Sequence, residues 1–389
     1  KEDDLLVRYG NNFCVKVEGS HMELFPLIAE GEQTLSQSAV NLFAGGFRMK
    51  GGSPITRESL DRSSTFHVPG LTYLVHTDSQ VASQPAHWAM RWASLLSFYS
   101  NRKRYAGLAG SGRIDSVVLL NLDPLLSGFQ ESIMDIALRA TTQFLPFSYR
   151  LYAPSVIYLR DLDAKTTCFQ TAFGIFKSEV YFVDAAAADA WQSAAQQYLT
   201  GPAASMEKES QTPCPKYKHA SIVSRDRGGD LQKLSARPLW NIQAVQDVVT
   251  SRGLTWDLAV ITSSWPFINQ AAMFRESHLI ISVHSSQLVN VLFSQPNSAV
   301  IELMPHNFDN RVFQNIGLAL GVDYHVIGNN PIATSSPWAA EALHKFPGLD
   351  VATCMESVDC RGLHRNLGVQ ANLTAFSQVL DSLLAKGCP

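Results

Sequence analysis

The sequence predicts an α/β protein of two domains, the second built on a doubly wound parallel sheet. Three observations carry that expectation. From Lys218 onward, short β-branched runs alternate with amphipathic segments, the pattern of repeated β-α-β units. At 389 residues the chain is longer than one ordinary hydrophobic core supports. Residues 201–215 (GPAASMEKESQTPCP) are polar and punctuated by prolines, which marks a linker and divides the chain into domains 1–214 and 215–389.

In the first domain, residues 1–70 read as an irregular lead-in with one strand over 13–17 and turn signals at Gly45-Gly46 and Gly51-Gly52. Residues 71–76 form a strand. Trp88, Trp92, Leu95, Leu96 and Tyr99 fall at helical spacing, so a helix runs over 86–99 behind Pro85. Strands follow over 116–120 and 156–159, with a helix over about 130–144 between them and an alanine-rich helix over 183–199. In the second domain strands fall near 219–224, 257–262, 278–283, 299–303 and 323–327. Helices fall near 239–251, 266–275, 286–293 and 309–320. A last helix over 372–386 gathers Phe376, Val379, Leu380, Leu383 and Leu384 on one side, a face suited to packing back toward the first domain.

The richest stretch is 277–305, read as strand, tight turn, short helix, turn and strand. His284, Ser285 and Ser286 sit where the first strand gives way to the helix, and either serine can cap it. Leu288, Val291 and Leu292 supply an apolar face, and Gln295-Pro296-Asn297 stops the helix. Glu302 lies near the carboxyl end of the next strand. Ligands bind beyond the carboxyl ends of strands in open α/β sheets, and helix N-termini there receive anions. An imidazole, two small hydroxyls, amide N–H groups and a carboxylate at one edge suit a nucleotide diphosphate. On the loop after the domain's first strand, Arg225 and Arg227 can clamp the same diphosphate, or Arg225 and Arg227 can pair at the surface with Asp226.

Composition excludes some classes. Hydrophobic content of 46% with 17% charge and a net charge of −3 leaves no basic footprint for nucleic acid. Arg102-Lys103-Arg104 reads as a solvated helix end. No apolar run reaches the ~18–20 residues that span a bilayer. Cys14, Cys168, Cys214, Cys354, Cys360 and Cys388 contain no Cys-x-x-Cys pair; a disulfide framework and free buried thiols both stay open. Asn372-Leu373-Thr374 is a glycosylation sequon and tilts toward a lumenal protein. Asp161 and Asp163 could hold a divalent cation but more often shape a turn. His284 with Ser285 does not make a serine hydrolase, because neighbours on one turn cannot easily aim at each other and no Gly-x-Ser-x-Gly occurs.

The 277–305 stretch resembles the signature of the family 61 glycosyltransferases, with Val283, His284, Leu288, Asn290, Leu292, Phe293, Pro296, Ala299, Val300, Glu302, Leu303 and Pro305 in register. Gln287 matches a variant in one branch; Ser285-Ser286 stands where Gly-Ala is usual. Ser224-Arg225-Asp226-Arg227, Asn241, Cys168-Phe169 and Phe173-Gly174 resemble further family elements. The resemblance spans roughly 70–330. It implies a GT-B architecture, two Rossmann-like domains facing across a cleft, and inverting transfer from a UDP-sugar to a glycan or glycoprotein hydroxyl with no required cofactor or metal. Arg225, Arg227, His284, Ser285, Ser286, Gln287 and Glu302 would hold the donor, Glu302 on the ribose. Xylose comes first among the family's sugars. Family members are anchored in the Golgi or endoplasmic reticulum by a short N-terminal segment, which this chain is expected to have lost, so no other membrane contact is implied. The family's Asn-x-x-His-[Phe/Trp] element resembles Pro85–Trp88, but Arg91 stands where an acid is usual. The general base then falls to His87, with Asp78 and Asp123 in reserve; His87 can equally be a core or cap residue. Arg91 also favours a rival, an inactive family member that binds glycans or serves as a scaffold.

Overall fold

The computed structural model describes residues 5–18, 21–28, 49–51, 55–56, 65–75, 85–101, 114–119, 128–145, 154–158, 166–178, 182, 184–200, 217–225, 237–261, 265–328, 340 and 344–386. The chain divides into two compact units, Lys1–Ala194 and Ala195–Pro389.

The first unit is built on a mixed sheet. Strands β1 (Leu5–Glu18) and β2 (His21–Ile28) form an antiparallel hairpin, with β3 (Met49–Gly51) and β4 (Ile55–Thr56) paired to β2. Strand β5 (Thr65–Val75), helix α1 (Pro85–Ser100), β6 (Ser116–Leu119), α2 (Gly128–Thr141) and β7 (Ser155–Tyr158) then alternate, followed by β8 (Thr166–Ser178) and α3 (Ala185–Thr200). Strand order is β3-β2-β1-β8-β5-β6-β7. β8, β5, β6 and β7 are mutually parallel, while β1 runs antiparallel to β8.

Two long strands depart from the sequence reading. The lead-in is one continuous strand over 5–18, of which the sequence reading marks only 13–17, and β8 was not foreseen. Gly10-Asn11-Asn12 looks like a turn, yet β1 stays extended through it because Gly10 and Asn11 lie opposite Ala172 and Thr171 in a ladder with β8 that runs from Leu5 opposite Ser178 to Lys16 opposite Thr166. Cross-strand pairing overrode local preference. The Cys14–Cys168 disulfide joins residues that face each other in that ladder. The helix face anticipated in α1 is the core of this unit. Trp88, Trp92, Leu95, Leu96 and Tyr99 are buried, Trp88 and Trp92 meet edge to face at 5.7 Å, and the Trp88 indole N–H donates to the Gln130 carbonyl at 2.9 Å.

The second unit carries β9 (His219–Arg225), α4 (Ile242–Ser251), β10 (Thr255–Ile261), α5 (Phe267–Glu276) and β11 (Leu279–Val283). A 3-10 helix (Ser286–Phe293), β12 (Ala299–Met304), α6 (Val312–Ala319) and β13 (Asp323–Gly328) complete the sheet layer. Helices α7 (Val351–Glu356), α8 (Val358–Asn366) and α9 (Leu373–Ala385) close the chain. Strand order is β10-β9-β11-β12-β13 and every pair is parallel. Read in chain order this is 2-1-3-4-5, so the winding reverses between β9 and β11, the switch point where such sheets bind ligands.

The apolar face of α9 enters the core of its own unit: Phe376, Leu380 and Leu383 pack among Ile222, Leu279, Ile281 and Ile301. Asn372 caps that helix, its side chain accepting from the Ala375 amide. The segment before it, 367–371, is clamped to 238–241. The Val369 amide donates to the Pro238 carbonyl and the Trp240 amide to that of Val369, at 2.8 and 2.9 Å. Asn241 grips Ala371 twice, donating to its carbonyl and accepting from its amide at 3.0 and 2.8 Å.

A second disulfide, Cys354–Cys360, ties α7 to α8. His364 lies beside it, with donor atoms of the three residues within 4.8 Å, but the two sulfurs are bonded to each other. Burial, helped by the neighbouring His306, holds the His364 imidazole below its ordinary value of 6.5. The unfolded chain therefore takes up this proton first, and stability is fully present above about 6.5 and falls as pH drops below it. We expect the thermal midpoint to decline between pH 7.5 and 5.5, and His364→Leu to flatten that decline. An unchanged slope in the variant would remove His364 as its cause.

Candidate functional site

The carboxyl edge of the second sheet is assembled from consecutive strands. β11 is buried along its length and ends at Val283; the His284 amide continues the ladder by donating to the Leu303 carbonyl at 3.0 Å. That fixes the His284 backbone against β12. Glu302 lies on β12, fully buried, and its Oε1 is 2.5 Å from His284 Nδ1. Its Oε2 accepts from the Tyr324 hydroxyl of β13 at 2.9 Å. Three strands in succession thus supply His284, Glu302 and Tyr324.

A buried carboxylate is costly unless donors surround it. Here both oxygens have one. Burial, then the charge of Glu302 and its hydrogen bond, keep the Tyr324 phenol well above its ordinary range, so it remains a donor. Nδ1–H of His284 donates to Glu302, which leaves Nε2 as the ring nitrogen outside the pair. Phe308 and Phe313 flank the imidazole at 5.0 and 5.3 Å between ring centres.

Arg237 reaches the same point. Its Nη1 donates to the His284 carbonyl at 3.1 Å, and its own backbone is left-handed, with φ of 42°. For a residue with a Cβ that conformation costs about 1–2 kcal/mol, strain of the kind that gathers at functional sites. A guanidinium is thereby held at the switch point.

The turn after β11 differs from the expected α-helical start. Ser286–Phe293 is a 3-10 helix, and Ser285, though in the N-cap position, caps nothing with its side chain. Its hydroxyl instead donates to Gln287 Oε1 at 3.4 Å, while Gln287 Nε2 donates to the Ile261 carbonyl at the end of β10. The first bond closes from the Leu288 amide to the Ser285 carbonyl at 3.0 Å, so the amides of Ser286 and Gln287 precede it. Val289, Asn290 and Phe293 are buried along with Leu288, Val291 and Leu292. A short segment apolar on every side packs as a tight rod inside the unit, not as a one-faced surface helix.

Of the sequence-derived site residues, the structure brings His284, Ser285, Ser286, Gln287 and Glu302 to one edge. Glu302 is spent on His284 and Tyr324, so it orients the imidazole where a ribose contact had been expected. Arg225 closes β9 beside β11, but its side chain and all of Arg227 lie outside the described residues. His87 is the third residue of α1, its side chain likewise outside them; so are Asp78, Asp123, Asp161, Asp163, Cys214, Cys388 and the run at 102–104. Arg91 is half-buried, and its carbonyl accepts from the Tyr73 hydroxyl at 3.0 Å. Sequence reasoning missed Arg237 and Tyr324. An arginine before a proline carries no motif, and Tyr324 reads as an ordinary strand aromatic.

Fold and site together define an α/β protein whose ligand edge lies at the switch point of a 2-1-3-4-5 parallel sheet. A profile for glycosyltransferase 61 matches residues 86–301, just over half of the chain. The chain belongs to glycosyltransferase family 61, and is a transferase of that kind. No curated protein matches it. Among solved structures, the flavodiiron protein from Giardia intestinalis is similar at 9% identity and a TM-score of 0.22, over 67% of this chain. This chain spans 54% of that one, and so slight a likeness carries no argument. Among the described residues no helix is long and apolar enough to cross a membrane.

Proposed function

We propose that the chain is an inverting glycosyltransferase of GT-B architecture that moves a sugar, xylose first, from a UDP-sugar to a glycan or glycoprotein hydroxyl in the Golgi or endoplasmic reticulum lumen. The observation that carries the reading is the convergence of Arg237 and the His284–Glu302 pair at the switch point of a family 61 chain. In the reaction the acceptor oxygen bonds to the anomeric carbon as the bond from that carbon to the diphosphate oxygen breaks. The hydroxyl proton goes to a base, for which His87 stands first and Asp78 and Asp123 behind it. Negative charge gathers on the departing UDP, and Arg237, Arg225, Arg227, the Ser286 and Gln287 amides and the Nε2–H of His284 in its imidazolium form receive it. On this reading no cofactor or metal is needed, because cationic and N–H groups do that work. The Cys14–Cys168 and Cys354–Cys360 disulfides among the described residues and the sequon at Asn372 support an oxidising, lumenal setting. Arg91, standing where the family usually has an acid, favours the rival of an inactive glycan-binding member.

Titration of a panel of UDP-sugars by calorimetry, followed by transfer assays on glycan acceptors, tests both readings. Arg237→Ala is expected to weaken UDP binding by ~1.5–3 kcal/mol, the worth of a charge-assisted hydrogen bond. Wild-type affinity in that variant would take Arg237 out of the site. Donor binding without transfer or hydrolysis of any UDP-sugar would favour the inactive member.

A further inference from the structure

We propose that Tyr324 is a positioning residue of the donor site, holding Glu302 so that His284 is presented to the diphosphate. The inference rests on the reading that His284 contacts the donor, and it adds a residue that touches no ligand itself. The chain of contacts is short and complete: Tyr324 hydroxyl to Glu302 Oε2 at 2.9 Å, Glu302 Oε1 to His284 Nδ1 at 2.5 Å.

The phenol is not explained by apolar packing. Tyr324 is 4% exposed, and its hydroxyl lies in a setting where phenylalanine would pack as well without a polar group to bury. The hydroxyl donates to Glu302. The fold also makes room for this ring. A Cβ on Gly317 would lie 2.4 Å from Tyr324 Cδ2, so α6 can settle over the ring only with glycine there. The same helix contributes Phe313 against the His284 imidazole. One helix therefore seats both ends of the chain of contacts, and Glu302 links them beneath it.

With two oxygens and two donors, Glu302 has one orientation that satisfies both. Loss of the phenol donor frees it to rotate, and the imidazole that depends on Oε1 loses its fixed aim. The effect belongs to donor handling and passes entirely through His284. That separates it from a structural role, which would lower stability whatever residue stood at 284.

The test is a double-mutant cycle of Tyr324→Phe and His284→Ala, reading UDP affinity, turnover and unfolding for the whole chain. Tyr324→Phe keeps the ring under Gly317, and all variants are assayed below their unfolding transitions. We expect Tyr324→Phe alone to weaken UDP binding about tenfold, the loss of one hydrogen bond to a charged group. In the His284→Ala background the same change is expected to cost no further affinity or turnover. If His284→Ala is impaired but Tyr324→Phe binds UDP and turns over like wild type, the proposal fails alone. Equal losses in both backgrounds also overturn it, since Tyr324 would then act without His284. If His284→Ala itself binds UDP normally, the donor-site reading fails and takes the proposal with it.

Discussion

Replacing Glu302 by alanine is expected to destabilise the second unit by ~3–5 kcal/mol, the range for removing one partner of a buried charged pair. The loss is large because two donors are stranded at once: His284 Nδ1 and the Tyr324 hydroxyl both face a fully buried carboxylate. Donor binding should fall with it. Chemical denaturation followed by a probe in the second unit measures the first effect, since a two-unit chain need not unfold in one step. Glu302→Gln keeps the shape and can still accept from one donor, so it should cost less. A Glu302→Ala protein as stable as wild type would mean that the pair is solvated and does not organise this edge.

The second large effect is expected at Gly368. Its φ is +90°, and an added Cβ would lie 2.6 Å from the Pro238 carbonyl oxygen and 2.9 Å from Trp240 Nε1. Neither the backbone oxygen nor the indole can withdraw, because the Val369 amide and the Leu367 carbonyl hold them. Gly368→Ala should therefore cost on the order of 3 kcal/mol, left-handed strain and overpacking together. Gly253→Ala is the internal comparison, since φ is +74° there but nothing lies within 4 Å. It should cost only the strain. Equal midpoints for the two variants would dismiss the clash. Because Arg237 directly precedes the clamped segment, Gly368→Ala should also weaken UDP binding, whereas Gly253→Ala should not.

What could be read in advance followed the range of the forces involved. Leu279–Val283 and Ala299–Met304 are short, apolar and bounded by turn residues, so their strands are visible locally. The Trp88 and Trp92 face of α1 was visible for the same reason. β1 before residue 13 and all of β8 were not, because what holds Gly10-Asn11-Asn12 extended is a partner strand more than a hundred residues away. At the site, His284 and Glu302 were legible as a pattern, but their mutual bond was not. Tyr324 is 22 residues from Glu302 and Arg237 is 47 from His284, distances over which spacing carries no information.

The clamp between 238–241 and 367–371 has a consequence for how the chain matures on the ribosome. Asn241 waits for Ala371, 130 residues later, before its amide group is satisfied. At about 5–20 residues per second that delay is roughly 7–26 s, during which the sheet's first strand can be made and paired while the segment bearing Arg237 still lacks its anchor. The guanidinium thus joins the edge late, after the strands that will surround it. A nascent chain arrested before residue 367 would carry β9 to β13 yet lack this anchor, so the segment bearing Arg237 is fixed only after the whole sheet has been made.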